Sequence, residues 1–318
     1  MADIKRVIQN AYQRVTSLYG NYEMDVPPES VFLGNGERLV DVCERVFGQP
    51  SAKVYRLGKS DFGERSFKVK CDGNWLKCYE CHTVDRARMV QAATRVLQNN
   101  GIAIPPILGH DNHVIFAQWI AGTQMGKYSS KKRFHDLMTY QLALHHARLD
   151  DTCAPYQRLL YLDSAIERID RYAPPELDGK ERQTIFSLLR KMAPAGLQNR
   201  ILHSDYKKGN LILNRDGHMV IIDNELLGIG YGHAIDVIYT ARMLFRRDPA
   251  LRDRYIKEYV EKSGDRSIYD HWAFWELCFL AQRVGFDFKG KVFENGMRVW
   301  RELAGKTAQL MKTQSMTV

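Results

Sequence analysis

Residues 201–223 read Ile-Leu-His-Ser-Asp-Tyr-Lys-Lys-Gly-Asn-Leu-Ile-Leu-Asn-Arg-Asp-Gly-His-Met-Val-Ile-Ile-Asp. Within them stands the pattern His203-x-Asp205-x-x-x-x-Asn210. An apolar run, the turn Asn214-Arg215-Asp216-Gly217 and a second apolar run then lead to Asp223. Two apolar runs around an Asp-Gly turn make a β-hairpin, and a hairpin returns its last residue to the neighbourhood of its first. Asn210 and Asp223 are therefore expected side by side, with Asp205 five residues ahead of Asn210 in the chain. Two carboxylates and an amide oxygen are the set that phosphoryl transfer needs. One acid stands beside an attacking hydroxyl, and the remaining oxygens hold the Mg²⁺ that neutralises the β- and γ-phosphates.

Upstream of this segment the hydrophobic period changes twice. Residues 2–19 and 38–47 repeat apolar positions at helical spacing, and Pro27-Pro28 breaks the chain between them. From Lys53 the period becomes two: Val54 to Leu57, Ser66 to Lys70 and Trp75 to Tyr79 predict a three-strand antiparallel meander, with Cys71-Asp72-Gly73-Asn74 as its second turn. A helix is predicted over 84–99, stopped by Asn99-Asn100-Gly101. Ile104 to Leu108 and His113 to Ile120 supply two further strands around Gly109-His110-Asp111-Asn112. Beyond Gly122 the pattern is mainly helical, over roughly 130–149, 158–171, 177–192, 234–246, 249–263, 268–284 and 291–312. The expectation is an α+β chain: a small five-stranded antiparallel sheet lobe, then a larger helical lobe. The expected domains are a helical extension (1–50), the small lobe (51–121) and the helical lobe (122–318), with ligands between the lobes.

Composition agrees with a folded chain and narrows the ligands. The 318 residues are 45% hydrophobic and 26% charged, which excludes disorder. Lys and Arg number 46 against 37 Asp and Glu, a formal +9 that favours anionic ligands. No apolar run has the length of a membrane span or a secretion signal, so a cytoplasmic location is expected. Six cysteines are too sparse for a disulfide scaffold and read as reduced thiols. Cys78-x-x-Cys81-His82 matches a haem-attachment spacing, yet Cys78 falls inside the apolar run 75–79 and reads as a strand residue.

The catalytic segment resembles that of the protein-kinase-like superfamily, and more closely its aminoglycoside phosphotransferase and choline kinase branch, with the likeness running over about residues 54–245. The resemblance implies a bilobal protein-kinase-like fold and an ATP-dependent kinase. Asp205 would position or deprotonate the acceptor hydroxyl, Asn210 and Asp223 would hold Mg²⁺, and His203 would brace the loop. Lys207 occupies the place of a lysine that contacts the γ-phosphate, though a solvated loop lysine reads the same way. Gly58-Lys59-Ser60-Asp61-Phe62-Gly63 looks like the loop over the ATP phosphates, with Gly58, Ser60 and Gly63 as its contacts. Two glycines between strands also make a plain hairpin. Lys77 sits where the superfamily places the lysine for the α- and β-phosphates, and Gln118 and Ile120 lie at the hinge that borders the nucleotide.

The sequence also departs from the family pattern. The helix over 84–99 holds no Glu to pair with Lys77; Asp85, Gln91 and Glu80 are the nearest candidates. Asp223 is followed by Asn224-Glu225, and Glu225 is a candidate for a further metal or acceptor contact. Asp236 stands where the branch has a helix-opening Asp that buttresses the loop. The expected acceptor is a hydroxyl of a sugar, a glycolipid such as a lipopolysaccharide core, or another small molecule. Arg242, Arg246 and Arg247 suit an anionic glycan, and the surplus charge suits peripheral contact with an anionic inner-membrane face. Nucleic acid is not expected. A protein serine/threonine kinase and a catalytically silent binding module are the alternatives.

Overall fold

A computed structural model describes residues 23–57, 66–125, 131–156, 160–289 and 293–315. Its contacts divide the chain into two units: residues up to Lys127 together with Gly209–Glu225, and Tyr128–Lys208 together with Leu226 onward.

The first unit holds a six-stranded antiparallel sheet. In chain order its strands are β1 (Glu23–Val26), β2 (Lys53–Leu57), β3 (Ser66–Cys71), β4 (Asn74–Glu80), β5 (Ile107–Asp111) and β6 (Val114–Gln118), and their spatial order is β1-β2-β3-β4-β6-β5. The sequence led us to expect five strands. The sixth, β1, alternates as Glu-Met-Asp-Val but over only four residues, too short a signal to stand out, and is held at the sheet edge by pairing with β2, Val26 opposite Val54. The strand expected at 104–108 instead begins at Ile107, because Pro105 and Pro106 have no N–H to give the ladder. Its turn moves accordingly to Asn112, which takes a left-handed φ of 51°.

Period-two alternation sorts the side chains to two faces. On one, Val54, Phe67, Val69, Leu76, Cys78 and Phe116 are buried with Val42 and Cys43 of helix α1 (Leu39–Phe47) and with Val31 and Leu33 just before it. Residues 31–43 thus contribute to the core on this face of the sheet. Burial on the order of 1.5–3 kcal/mol per large side chain holds them there. On the other face Tyr79, Ile115 and Ala117 bury with Ala87 and Val90 of helix α2 (Val84–Asn99). The Thr83 hydroxyl caps α2 by accepting the Arg86 N–H at 3.1 Å.

Gly209–Glu225 joins this unit through a separate three-stranded sheet, β10-β9-β7, of β7 (Gly122–Gln124), β9 (Leu211–Asn214) and β10 (Met219–Ile221). Gly122 is needed there, since a Cβ would collide with the Leu213 carbonyl.

The second unit is helical: α3 (Phe134–His145), α4 (Leu160–Tyr172), α5 (Gly179–Met192), α6 (His233–Leu244), α7 (Pro249–Ser263), α8 (Ser267–Asp270), α9 (Trp272–Lys289) and α10 (Phe293–Ser315). A two-stranded ribbon interrupts it, β8 (Arg200–Leu202) with β11 (Gly228–Gly230). Of the aromatics in the last third, Tyr255, Tyr259, Phe274, Trp275 and Trp300 are core, whereas Tyr269 and Phe293 are exposed. The six cysteines are buried, and Cys78 lies in β4 with Cys81 just past its end, so the haem-like spacing is a strand end. The helix expected at 2–19 and the loop carrying Gly58, Ser60 and Gly63 lie outside the described residues.

Candidate active site

Lys77 projects from the centre of β4 with its side chain only 12% exposed. An ammonium so enclosed needs carboxylates. It has two, Asp223 Oδ1 at 2.5 Å and Glu225 Oε2 at 2.9 Å. Burial alone would depress its pKa; the charges and hydrogen bonds of Asp223 and Glu225 outweigh that and hold it above the ordinary lysine range. Of the helix candidates, Asp85 is exposed beside Arg88, and Glu80 accepts the Gly34 N–H at 2.6 Å. The carboxylate comes instead from the 3₁₀ turn Asn224–Leu226 that follows Asp223. Helix α2 takes part with the opposite charge: Arg86 donates through Nε and Nη2 to the Glu225 carbonyl at 3.2 and 2.9 Å.

The hairpin of β9 and β10 places Asn210 and Asp223 at its open end. The Ile222 N–H donates to the Asn210 carbonyl at 2.8 Å, while Asn210 is buried and Asp223 keeps a side chain 31% exposed. Asp223 holds a left-handed φ of 59°, a conformation that costs a non-glycine residue about 1 kcal/mol or more and that surroundings must enforce. Among the described residues no three His, Cys, Asp or Glu side chains form a metal cluster. Mg²⁺ does not require one, because it keeps waters and takes most of its oxygens from phosphates. A carboxylate and an amide at one hairpin mouth fit that ion.

The face of the sheet that bears Lys77 continues into a lysine–aromatic cluster that sequence reasoning missed. Lys68 lies opposite Lys77, and its Nζ stands 4.5 Å from the ring centre of Trp119, 4.8 Å from Trp75 and 5.7 Å from Tyr55. The signal was available: Trp75 has the parity of Lys77 on the same strand. Such rings offer stacking surface to a planar base. Gln118, exposed at the end of β6, and Ile120, half-buried just after it, follow Ala117, which lies opposite Lys77.

In the second unit, the loop after β8 is fixed by one buried carboxylate. Asp236, in the first turn of α6, accepts the backbone N–H groups of His203 and Ser204, each at 3.1 Å, and faces His145 Nε2 at 3.0 Å. These bonds hold Ser204 at a left-handed φ of 62°, the residue immediately before Asp205. His203 itself is fully buried. Asp205 accepts the Tyr239 hydroxyl at 3.2 Å and pairs with Lys207 Nζ at 2.7 Å, with Lys207 42% and Asp205 19% exposed. Tyr239, one turn beyond Asp236 on α6, is a further residue the sequence reading did not single out. Burial first, then the Asp205 charge, drive its hydroxyl pKa upward, so it stays a proton donor to the carboxylate.

His145 completes the brace, and its tautomer follows from its neighbours. Asp236 can only accept, so Nε2 carries the proton and Nδ1 accepts the Tyr259 hydroxyl at 2.7 Å. Burial lowers the His145 pKa to about 4 against the opposing pull of Asp236. A group whose folded pKa lies below its ordinary 6.5 withholds a proton that the unfolded chain takes up. Stability should therefore fall as pH drops from about 6.5 to about 4, by on the order of 3 kcal/mol, and this loss should end there. Asp236, held below the ordinary carboxylate range despite its burial, adds its own loss only below 3.8. Urea unfolding across this range should show the slope in the native protein and lose it in His145→Gln; parallel curves would contradict the assignment.

With this geometry established, comparison with known proteins gives the class. Residues 46–275 match the phosphotransferase enzyme family, and the chain belongs to it. It is accordingly an ATP-dependent phosphotransferase with an alcohol group as acceptor. No curated protein sequence matches the chain. Among solved structures the chain is similar to choline kinase LicA from Streptococcus pneumoniae, with a TM-score of 0.58 and 13% identity over 81% of this chain and 94% of that one. It is also similar to spectinomycin phosphotransferase APH(9)-Ia in complex with ADP and spectinomycin (TM-score 0.55, 14% identity, 85% and 98% covered). A thermostable mutant of aminoglycoside phosphotransferase APH(4)-Ia gives a TM-score of 0.57 at 10% identity, over 86% and 99%. At such identities the likeness is one of fold, α+β with an antiparallel sheet lobe and a helical lobe. Among the described residues no helix is long and apolar enough to cross a membrane.

Proposed function

We propose that this enzyme uses Mg²⁺-bound ATP to phosphorylate a hydroxyl of a sugar or glycolipid. The observation that carries the nucleotide side is Lys77, clasped by Asp223 and Glu225. In this reading Lys77 contacts the α- and β-phosphates and Trp75 and Trp119 stack on the base. Asn210 and Asp223 hold the ion, which when bound neutralises charge on the transferring group. Gly58, Ser60 and Gly63 cover the phosphates, and Gln118 and Ile120 border the nucleotide. Asp205 accepts or orients the acceptor proton, Lys207 stabilises transition-state charge, and His203 braces the loop through its backbone. The absent helix Glu, which favoured a silent binding module, has a substitute in Glu225.

The acceptor class follows from charge. The aminoglycoside enzymes and choline kinase among its fold neighbours are named for cationic acceptors, whereas a chain at +9 repels cations unless its pocket is locally acidic. The same surplus supports peripheral association with an anionic membrane surface, where a glycolipid would be met. A screen of ATP turnover against a hexose, a lipopolysaccharide core fragment, choline, spectinomycin and a serine peptide tests this. Stimulation by the sugar or the core fragment is expected; stimulation by the cations alone would overturn the acceptor class, and by the peptide alone would favour a protein kinase.

A further inference from the structure

The polar side chains that lead away from Asp205 carry information about the acceptor. Tyr239, which donates to Asp205, and Arg242 are three residues apart on α6 and so share one face of the helix. The Arg242 guanidinium lies 4.4 Å from the ring centre of Phe279 on α9, with its side chain 29% exposed. Burial pulls its pKa below the ordinary arginine value. The nearest carboxylate is shared: Glu276 Oε1 stands 3.6 Å away, while Lys306 of α10 holds Glu276 Oε2 at 2.7 Å, and Glu302 and Asp253 act on Arg242 only through space. Arg242 therefore has a ring beneath it, one long ion pair, and five N–H donors without a short acceptor among the described residues. Arg283 of α9, paired with Asp287 at 3.0 Å, acts electrostatically on Tyr239 as well.

A planar guanidinium fixed on an aromatic ring and incompletely paired is poor structural economy and a good receptor for an oxyanion. It sits three residues, about 4.5 Å along the helix axis, from the tyrosine that holds Asp205. We propose that Arg242 binds an anionic group of the acceptor, a carboxylate or a phosphate, while the hydroxyl to be phosphorylated lies at Asp205. The substrate is then an acidic or already phosphorylated sugar. This deepens the function proposed above and rests on it.

The test is calorimetric titration of the full-length protein, with ADP and Mg²⁺ saturating so that phosphate probes cannot enter a nucleotide site. The probes are glucuronate, glucose 6-phosphate and glucose, which differ in the charged group. At least one anionic probe should bind about tenfold or more tighter than glucose, the worth of a charge-assisted hydrogen bond. The tighter of the two names the group. Arg242→Gln should reduce that margin to about twofold and Arg242→Lys should keep part of it, because the charge remains without the fork. Arg298→Gln, an exposed arginine on α10, should leave it intact. Equal affinities, no binding by any probe, or a margin that survives Arg242→Gln would overturn the proposal. Should Arg242→Gln fail to fold, Arg242→Lys and the three wild-type affinities still decide. ATP turnover is a separate readout: turnover without the margin sinks only this inference, and the margin without turnover sinks the phosphotransfer reading.

Discussion

Asp205→Asn should lower kcat for acceptor phosphorylation by about 10²–10⁴-fold, the usual worth of a positioned general base. The substitution is nearly isosteric. An amide oxygen can still accept the Tyr239 hydroxyl, and Asp236 still holds the backbone of His203 and Ser204, so the loop should keep its shape. What disappears is a proton acceptor and the ion pair with Lys207. The KM for ATP should move by no more than about threefold, because the proposed contacts to the α- and β-phosphates and the ion lie elsewhere and Lys207 is assigned to the transition state. Steady-state kinetics with the acceptor found by the turnover screen gives both numbers. A kcat within about threefold of wild type would remove Asp205 from the chemistry.

Lys77→Met should act on the other substrate. Methionine has a similar length and suits a strand flanked by Trp75, Leu76, Cys78 and Tyr79, yet it leaves Asp223 and Glu225 facing each other across the position of a lost cation. Two partly buried carboxylates so placed repel, and neither can be reached by Arg86 through its present bond to the Glu225 carbonyl. The expected loss in kcat/KM for ATP is on the order of 10²–10³-fold, the range for deleting one charged donor at a transferring group. Glu225→Gln should lose less, since Asp223 still holds Lys77. A Lys77→Met enzyme with ordinary kcat/KM for ATP would show that the cluster serves folding alone.

Much of this was legible in the sequence because it is local. The hairpin from Asn210 to Asp223 declares itself by two apolar runs and an Asp-Gly turn, and α2 by period and stop. The carboxylate that pairs with Lys77 was not legible as such. It stands 148 residues away in the chain, on a turn whose position depends on the hairpin, and nothing near Lys77 encodes it. The reading searched α2 for an acid, whereas the structure reaches the same neutralisation with an arginine from α2 holding the turn that carries the acid. Strand β1 escaped because its alternation, Glu-Met-Asp-Val, spans only four residues and ends at Pro27-Pro28, so little but its pairing with β2 marks it as a strand. That residues 1–50 would pack on the small lobe was one of two expectations, the acceptor side being the other, because a helix stripe names an apolar face without naming what will cover it. Tyr239 was one turn from a residue already singled out, and looking along that face would have found it.

The central claim is that Lys77, Asp223 and Asn210 together receive a magnesium nucleotide. The most direct measurement is calorimetric titration of a non-hydrolysable ATP analogue with and without Mg²⁺, in the native protein and in Asp223→Asn. The native protein should bind about tenfold or more tighter with the ion present, roughly 1.4 kcal/mol, and Asp223→Asn should lose that gain. Affinity indifferent to Mg²⁺ in the native protein, or a gain undiminished in Asp223→Asn, would contradict it.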